Sequence, residues 1–165
     1  LKTKGEGDAT VSAFPRASDA VAAAVDIQEA LGGASWPGGL ELRVRIALHT
    51  GEAHERAGDY FGPALNRAAR LRSLAQGGAT VVSQATAEIV RDRLPREVEL
   101  IDLGRHELRG LSRPENVFEL RPVAAQAAPA PRATSLPRSR RSAPTRCAGL
   151  RALTTPARSS KVALM

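Results

Sequence analysis

The chain has 165 residues, an apolar fraction of 42% and a formal net charge of +7. This length fits one domain with an appendage. No apolar run approaches the roughly 18 residues that a membrane-spanning helix needs, and no signal-peptide stretch is present. The single cysteine, Cys147, excludes an internal disulfide. These features make a cytoplasmic setting the expectation.

The first half of the chain shows patterns of two strands, a helix and a third strand. Residues 1–4 and 9–14 read as short strands joined by a turn of the sequence GEGD, whose residue types suit a hairpin. Ser18 is the predicted N-cap of a helix that ends at Gly32-Gly33. In residues 41–48 apolar and polar residues alternate, which indicates a half-buried strand. A polar loop is predicted from there to Asp59.

The second half continues with helices and strands in alternation. A helix is predicted over residues 62–75, a strand over 79–82, and a helix capped by Ser83 that runs to about residue 93. Further strands are predicted over residues 97–103, 106–109 and 116–120. This order indicates an α/β or α+β domain built on one sheet.

The charge divides the chain at about residue 123. All 17 acidic residues lie between Glu6 and Glu119, and with the bases there the domain is close to neutral. Eight bases from Arg132 to Lys161 stand without acids in a stretch rich in Ala, Pro, Arg and Ser. Such a composition buries too little apolar surface to order itself, so residues 124–165 are predicted to be a disordered basic tail. Without interleaved aromatic residues, specific binding of nucleic acid is not expected.

The most informative segment is residues 59–71, which read DYFGPALNRAARL. Within the predicted helix, Asn66 and Arg70 are four residues apart and therefore project from one face. An amide that both donates and accepts, beside a guanidinium suited to phosphate, can orient a ribose and stabilise charge on a phosphoryl group. An isolated asparagine and arginine at this spacing are more often plain surface residues. The strand and loop that flank this pair favour a functional role.

These residues, together with RIALHTGE at 45–52, LRGL at 108–111 and PENVF at 114–118, resemble the signature of class III adenylate and guanylate cyclases. The resemblance covers nearly all of residues 1–121. It implies an α+β, ferredoxin-like fold with a mixed sheet flanked by helices, here as a domain over residues 1–123. It also implies formation of cyclic AMP from ATP, with release of pyrophosphate, in intracellular signal transduction.

The resemblance also assigns roles to individual residues. Asn66 and Arg70 fall at its catalytic positions, and Asp8, with Glu6 as the competing alignment, at the position of a metal ligand for Mg²⁺ or Mn²⁺. A carboxylate at a hairpin tip suits such hard ions. Lys4 and Asp59 match the offsets of residues that read adenine, which favours ATP, with GTP still possible. Arg109 falls near the position of a base that contacts the terminal phosphates.

In this family an opening strand carries the first metal aspartate, and sites lie at a head-to-tail homodimer interface. The residues here begin after that strand. We therefore expect an N-terminally truncated domain that lacks a central strand and is inactive by itself. A non-catalytic, cyclase-like nucleotide-binding regulatory module is the alternative. The three histidines have no metal-ligand spacing, and His49 is expected to pack at a strand end.

Overall fold

A computed structural model describes residues 2–6, 9–56, 59–111, 113–123 and 161–164 of the chain. The described part contains three α-helices: α1 (Ala17–Gly33), α2 (Pro63–Arg72) and α3 (Gln84–Val90). Its strands are β1 (Lys2–Glu6), β2 (Ala9–Phe14), β3 (Ile46–Gly51), β4 (His54–Arg56), β5 (Asp59–Phe61), β6 (Thr80–Ser83), β7 (Val98–His106), β8 (Glu115–Pro122) and β9 (Lys161–Leu164).

Seven strands form one mixed sheet in the order β1-β2-β9-β3-β6-β8-β7, while β4 and β5 form a separate hairpin. The pairing of β3 with β6 is parallel, and the remaining pairings in the seven-stranded sheet are antiparallel. Helices lie on both faces. The predicted α+β class, with a mixed sheet flanked by helices, is confirmed.

Side chains of the central strands alternate between two apolar layers, as the pleat requires. On β3, Ile46 and Leu48 pack in the core under α1 and α3, whereas Ala47 packs under α2. The α2 layer is small, and its other buried members are Leu71, Ala75, Val81, Leu108 and Val117. This layer fixes one side of α2 against the sheet and leaves the other side open.

Helix α1 starts two residues earlier than predicted. Its N-cap is Arg16, without a side-chain capping bond, and Ser18 lies inside the first turn, so that prediction was wrong. The Arg16 side chain instead donates to Asp19 at 3.0 Å, an acidic residue that is favourable near the positive helix end. The buried positions Ala17, Ala20, Val21 and Ala24 follow helical spacing and decide where the helix begins.

Three strand predictions need correction. Strand β3 covers residues 46–51 rather than 41–48: Leu42 stays 47% exposed, and Val44 is only partly buried against the core. The predicted polar loop contains the hairpin β4–β5. One long strand, β7, replaces the two predicted at 97–103 and 106–109 because a register shift between Asp102 and Gly104 carries it onward. Gly104 adopts φ 81°, which glycine tolerates at such irregularities.

The predicted disordered tail differs from the structure at four residues. Lys161–Leu164 form β9, which lies in the interior of the sheet between β2 and β3. Composition could not reveal this, because pairing with two existing strands stabilises a short segment that has no core of its own. Residues 124–160 lie outside the described residues. Within the described part, the helices are too short or too polar to cross a lipid bilayer.

Candidate active site on helix α2

Helix α2 begins at a backbone turn that glycine makes possible. Gly62 is the N-cap with φ 134°, a conformation that residues with a Cβ rarely adopt. Pro63 follows at the first helical position, where its missing N–H costs nothing. The sequence FGP therefore turns the chain sharply from β5 into α2 and sets the direction of the helix.

Asn66 and Arg70 lie on this helix and are not buried beneath the sheet. Asn66 is exposed and Arg70 is half-buried. Their spacing within one regular helix puts both on one side. Within the described part of the chain, no hydrogen bond or ion pair joins the side chain of either residue to another group. The helix thus presents an amide and an uncompensated cation to its surroundings.

The guanidinium of Arg70 lies against the turn that follows β7. A methyl group added at Gly110 would stand 2.8 Å from Nη1 of Arg70, and Gly110 itself adopts φ 73°. The backbone conformation of Gly110 favours glycine there, and the guanidinium occupies the space beside it. The exposed Arg109 belongs to the same turn. The structure brings Arg70 next to the segment that carries Arg109, a proximity that the sequence analysis did not predict.

This turn borders an open pocket of about 420 Å³, lined by Glu107, Leu108, Arg109, Gly110, Leu111 and Pro114. Leu108 is buried in the α2 layer and anchors the turn, while Arg109 points away from the core. The pocket carries one acidic and one basic side chain, Glu107 and Arg109, and the half-buried Arg70 lies beside it.

The structure gives fewer contacts for the other predicted site residues. Asp59 lies half-buried in β5, and its Oδ1 accepts the backbone N–H of Tyr60 at 2.8 Å. Lys4 lies in β1 opposite Val11 of β2. The predicted metal ligand Asp8 lies outside the described residues. The competing residue, Glu6, pairs with Ala9 at the end of the hairpin.

An ion pair that the sequence did not indicate fixes α2 to the sheet. Nη1 of Arg67 contacts Oε2 of Glu115 at the start of β8, 48 residues away in the chain. The Glu115 side chain is only 10% exposed and that of Arg67 is 36% exposed. A buried carboxylate needs a partner, so the pair holds the helix in a fixed rotation. The sequence offered one sign of this pair, an acidic residue at the first position of an otherwise apolar strand.

A chain of polar groups, three of them buried and one, Thr50, half-buried, lies at the ends of β3 and β6. Nδ1 of His49 lies 2.9 Å from Oγ of Ser83, which lies 3.1 Å from Oγ1 of Thr86, and Thr86 is 3.0 Å from Oγ1 of Thr50. Ser83 also caps α3 by accepting the N–H of Thr86, as predicted. No buried side-chain polar atom among the described residues lacks a partner.

Burial makes His49 a neutral residue. Its side chain packs at the end of β3, as predicted, and desolvation followed by the nearby charge of Arg67 lowers its pKa from 6.5 to about 4. A Cβ on Gly51 would lie 3.0 Å from both His49 Nε2 and Ala64 Cβ. Glycine at this position lets the end of β3 approach α2 closely, and His49 fills the remaining space.

The described residues contain no group of three His, Cys, Asp or Glu side chains that could hold a metal ion. The predicted metal ligand Asp8 is not among those residues. The chemistry that the described residues carry themselves is that of Asn66 and Arg70.

Comparison with known proteins identifies the family of this domain. The family model for the adenylate and guanylate cyclase catalytic domain matches residues 2–121. An uncharacterised protein of Mycobacterium tuberculosis is 53% identical over 115 residues, which cover 70% of this chain and 38% of that protein. A putative adenylate cyclase of Rhizobium meliloti is 29% identical over 121 residues, covering 72% of this chain and 20% of that protein. The chain thus spans well under half of these curated relatives.

Solved structures give the same result. An adenylate/guanylate cyclase/hydrolase from Silicibacter pomeroyi superposes with a TM-score of 0.63 and 31% identity, covering 73% of this chain and 72% of that one. The guanylate cyclase domain of RhGC from Catenaria anguillulae, in complex with GTP, shares the fold with a TM-score of 0.51 and 19% identity over 66% of this chain and 61% of that one. Sequence match and fold together lead to one conclusion: the chain belongs to the adenylate and guanylate cyclase catalytic domain family.

Proposed function

We propose that this domain forms cyclic AMP from ATP, with release of pyrophosphate, in intracellular signal transduction. The observation that carries the proposal is the half-buried guanidinium of Arg70, which has no acidic partner in the described part of the chain and lies one helical turn from the exposed amide of Asn66. A guanidinium without an internal partner, held beside an amide on the same side of a helix, is suited to binding phosphate oxygens.

In this proposal each residue has a separate task. The amide of Asn66 donates to and accepts from the ribose, and so orients the 3′-hydroxyl toward the α-phosphate. The guanidinium of Arg70 stabilises negative charge that develops as that phosphate is attacked. Arg109, in the turn against which Arg70 rests, contacts the terminal phosphates that depart as pyrophosphate.

The preference for ATP rests on Lys4 and Asp59. A lysine and a carboxylate together provide a donor and an acceptor for the edge of an adenine ring. The backbone N–H of Tyr60 orients the Asp59 carboxylate, which supports a recognition role. GTP is the competing substrate.

The proposal includes Asp8 as a ligand for Mg²⁺ or Mn²⁺. A divalent ion there would supply positive charge to the phosphates and acidify the attacking hydroxyl. It further includes a cytoplasmic homodimer with sites at the subunit interface, in which Asp8 serves from one subunit and Asn66 and Arg70 from the other.

The test is product analysis with the longest form of the protein that its gene encodes. ATP or GTP is supplied with Mg²⁺ or Mn²⁺, and products are separated and identified by mass. We expect cyclic AMP in excess over cyclic GMP. Cyclic GMP as the main product would overturn the assignment of ATP.

The alternative is a regulatory module that binds nucleotide without turnover. It is supported by the same observation, because the amide of Asn66 and the guanidinium of Arg70 can hold a nucleotide whether or not it reacts. Calorimetry with a non-cyclisable ATP analogue separates the two functions. Binding of the analogue without cyclic product from either nucleotide would exclude catalysis and support the regulatory module.

A further inference from the structure

One apolar layer holds Arg70 and the turn at residues 108–111 close together. Leu71, the neighbour of Arg70 on α2, is completely buried, and Leu108 at the start of the turn is 4% exposed. Both side chains pack in the α2 layer. Because protein interiors are close-packed, such a layer has little room to expand. Separating the helix from the turn would therefore break this packing.

The backbone of this turn places a glycine against the guanidinium of Arg70. The N–H of Leu111 donates to the carbonyl oxygen of Leu108 at 2.9 Å and closes a four-residue turn. Gly110 is its third residue and has φ 73°, a conformation that a type II turn needs at this position. A Cβ built there would lie 2.8 Å from Nη1 of Arg70, 3.3 Å from Nη2 and 3.4 Å from Cζ. The guanidinium thus takes the space of the absent side chain.

Packing against this turn is what places the guanidinium. Across the described residues, the side chain of Arg70 makes no hydrogen bond or ion pair, whereas the nearby Arg67 is tied to Glu115. An arginine side chain without a polar partner samples several rotamers unless a neighbouring surface restricts it. Contact with the turn at Gly110 supplies that restriction.

We propose that Gly110 is a positioning residue for Arg70. Its missing side chain lets the guanidinium rest on the turn, and so sets the direction in which the guanidinium meets a phosphate group. This role rests on the proposed function, in which Arg70 stabilises charge on the attacked phosphate. A methyl group at residue 110 displaces the guanidinium rather than the backbone, because the end of an arginine side chain is flexible. A displacement of about 1 Å can lower the rate by about 100-fold.

A second glycine separates this contact from backbone strain. Gly104 in β7 has φ 81°, close to that of Gly110, yet a Cβ built there meets nothing within 4 Å. Alanine at either position carries similar backbone strain, but only alanine at residue 110 meets Arg70. Gly104→Ala is therefore the matched control for Gly110→Ala.

The first experiment follows the guanidinium itself, in the form of the protein used for product analysis. Arginine is isotope-labelled, and the Nε–Hε resonance of Arg70 is assigned by its loss in Arg70→Lys. We expect this resonance to shift in Gly110→Ala and to keep its position in Gly104→Ala. An unchanged resonance in Gly110→Ala, or an equal shift in both glycine variants, would overturn the proposal. This measurement does not depend on nucleotide turnover.

The second experiment tests the consequence for turnover. Gly110→Ala should lower the kcat of cyclic nucleotide formation by about tenfold or more with KM within about twofold, whereas Gly104→Ala keeps both within about twofold. In an Arg70→Ala background, Gly110→Ala should have no further effect, because the methyl group then has no guanidinium to displace. An equal loss with and without the Arg70 side chain would mean that Gly110 acts on the fold alone, and would overturn the proposal.

The positioning role and the proposed function fail in different ways. Loss of activity in Arg70→Ala together with full activity in Gly110→Ala would overturn the positioning role and leave the proposed function intact. Activity that is unchanged in Arg70→Ala, or absent from the wild-type protein, would overturn the proposed function, and the resonance of Arg70 then decides the positioning role. If Gly110→Ala does not fold, Gly110→Asn takes its place in both experiments, since asparagine tolerates a positive φ.

Discussion

Two polar regions near the ends of β3 and α2 differ in whether their hydrogen-bonding groups are paired within the protein. At the buried end of β3, His49, Ser83, Thr86 and Thr50 form a continuous chain of hydrogen bonds. On the open side of α2, Asn66 and Arg70 make no such bonds within the described part of the chain. Buried polar groups must be paired to be tolerated, and this pairing identifies a structural role. Unpaired groups on a fixed helix are available to a ligand.

The comparison is tested most strongly by removing Arg70. Arg70→Ala should lower the kcat/KM of cyclic nucleotide formation by about 100-fold or more, because charge on the phosphate loses its partner. The free energy of unfolding should change by less than about 0.5 kcal/mol, since no internal bond is lost.

Arg72→Ala is the matched control for this change, since Arg72 lies on the same helix but two positions away. Its kcat/KM should stay within about twofold of the wild-type value. A similar loss for both variants would mean that general positive charge on α2 matters rather than the position of Arg70.

In the buried region we expect a substitution to lower stability. Ser83→Ala removes the cap of α3 and leaves Nδ1 of His49 unpaired, so unfolding free energy should fall by about 2.5 kcal/mol. Denaturant titration measures this loss. Ser73→Ala, in which a hydroxyl at an exposed helix end is removed, should cost only about 0.3 kcal/mol. Equal losses would contradict the distinction between the two regions.

The buried region should also make stability depend on pH. The pKa of His49 is lowered in the folded protein to about 4 from 6.5. Below pH 6.5 the unfolded chain binds a proton at this position, whereas His49 in the folded protein stays neutral down to about pH 4. The contribution of His49 to the free energy of unfolding is therefore complete above pH 6.5 and is lost as the pH falls toward 4. Between pH 7 and pH 5 this amounts to about 2 kcal/mol.

Denaturant titrations at pH 7 and pH 5 measure this dependence. His49→Gln keeps a polar group beside Ser83 but cannot take up the proton, so its stability should change much less over the same interval. An unchanged pH dependence in this variant would assign the effect to other groups.

The smallest effect concerns the ion pair that joins α2 to β8. Glu115→Gln should destabilise the fold by about 1.5 kcal/mol, a reduced figure for a buried pair because Arg67 is 36% exposed. It should also lower kcat more than it raises KM, since α2 loses its fixed rotation. A double-mutant cycle with Arg67→Met should give a coupling of about 1 kcal/mol. Absence of coupling would mean that the apolar layer alone positions α2.

Local patterns in the sequence determined much of the domain. Ser83 was identified as a helix cap from its place before an apolar run, and Gly62-Pro63 as the start of α2, because capping and turn formation depend on adjacent residues. The spacing of Asn66 and Arg70 likewise placed both on one side of a helix. Strand β2 was predicted with its bounds as observed, Ala9–Phe14. The roles of Lys4, Asp8, Asp59 and Arg109 in substrate and metal binding stay predictions.

Only the tertiary structure decided the contacts between distant segments. Arg67 meets Glu115 across 48 residues, Arg70 rests on Gly110, and Lys161–Leu164 pair with β2 and β3. Four residues of a compositionally biased tail carry no periodic signal that predicts a strand. Their pairing partners are strands far away in the chain, and such partners exist only when the rest of the sheet has formed.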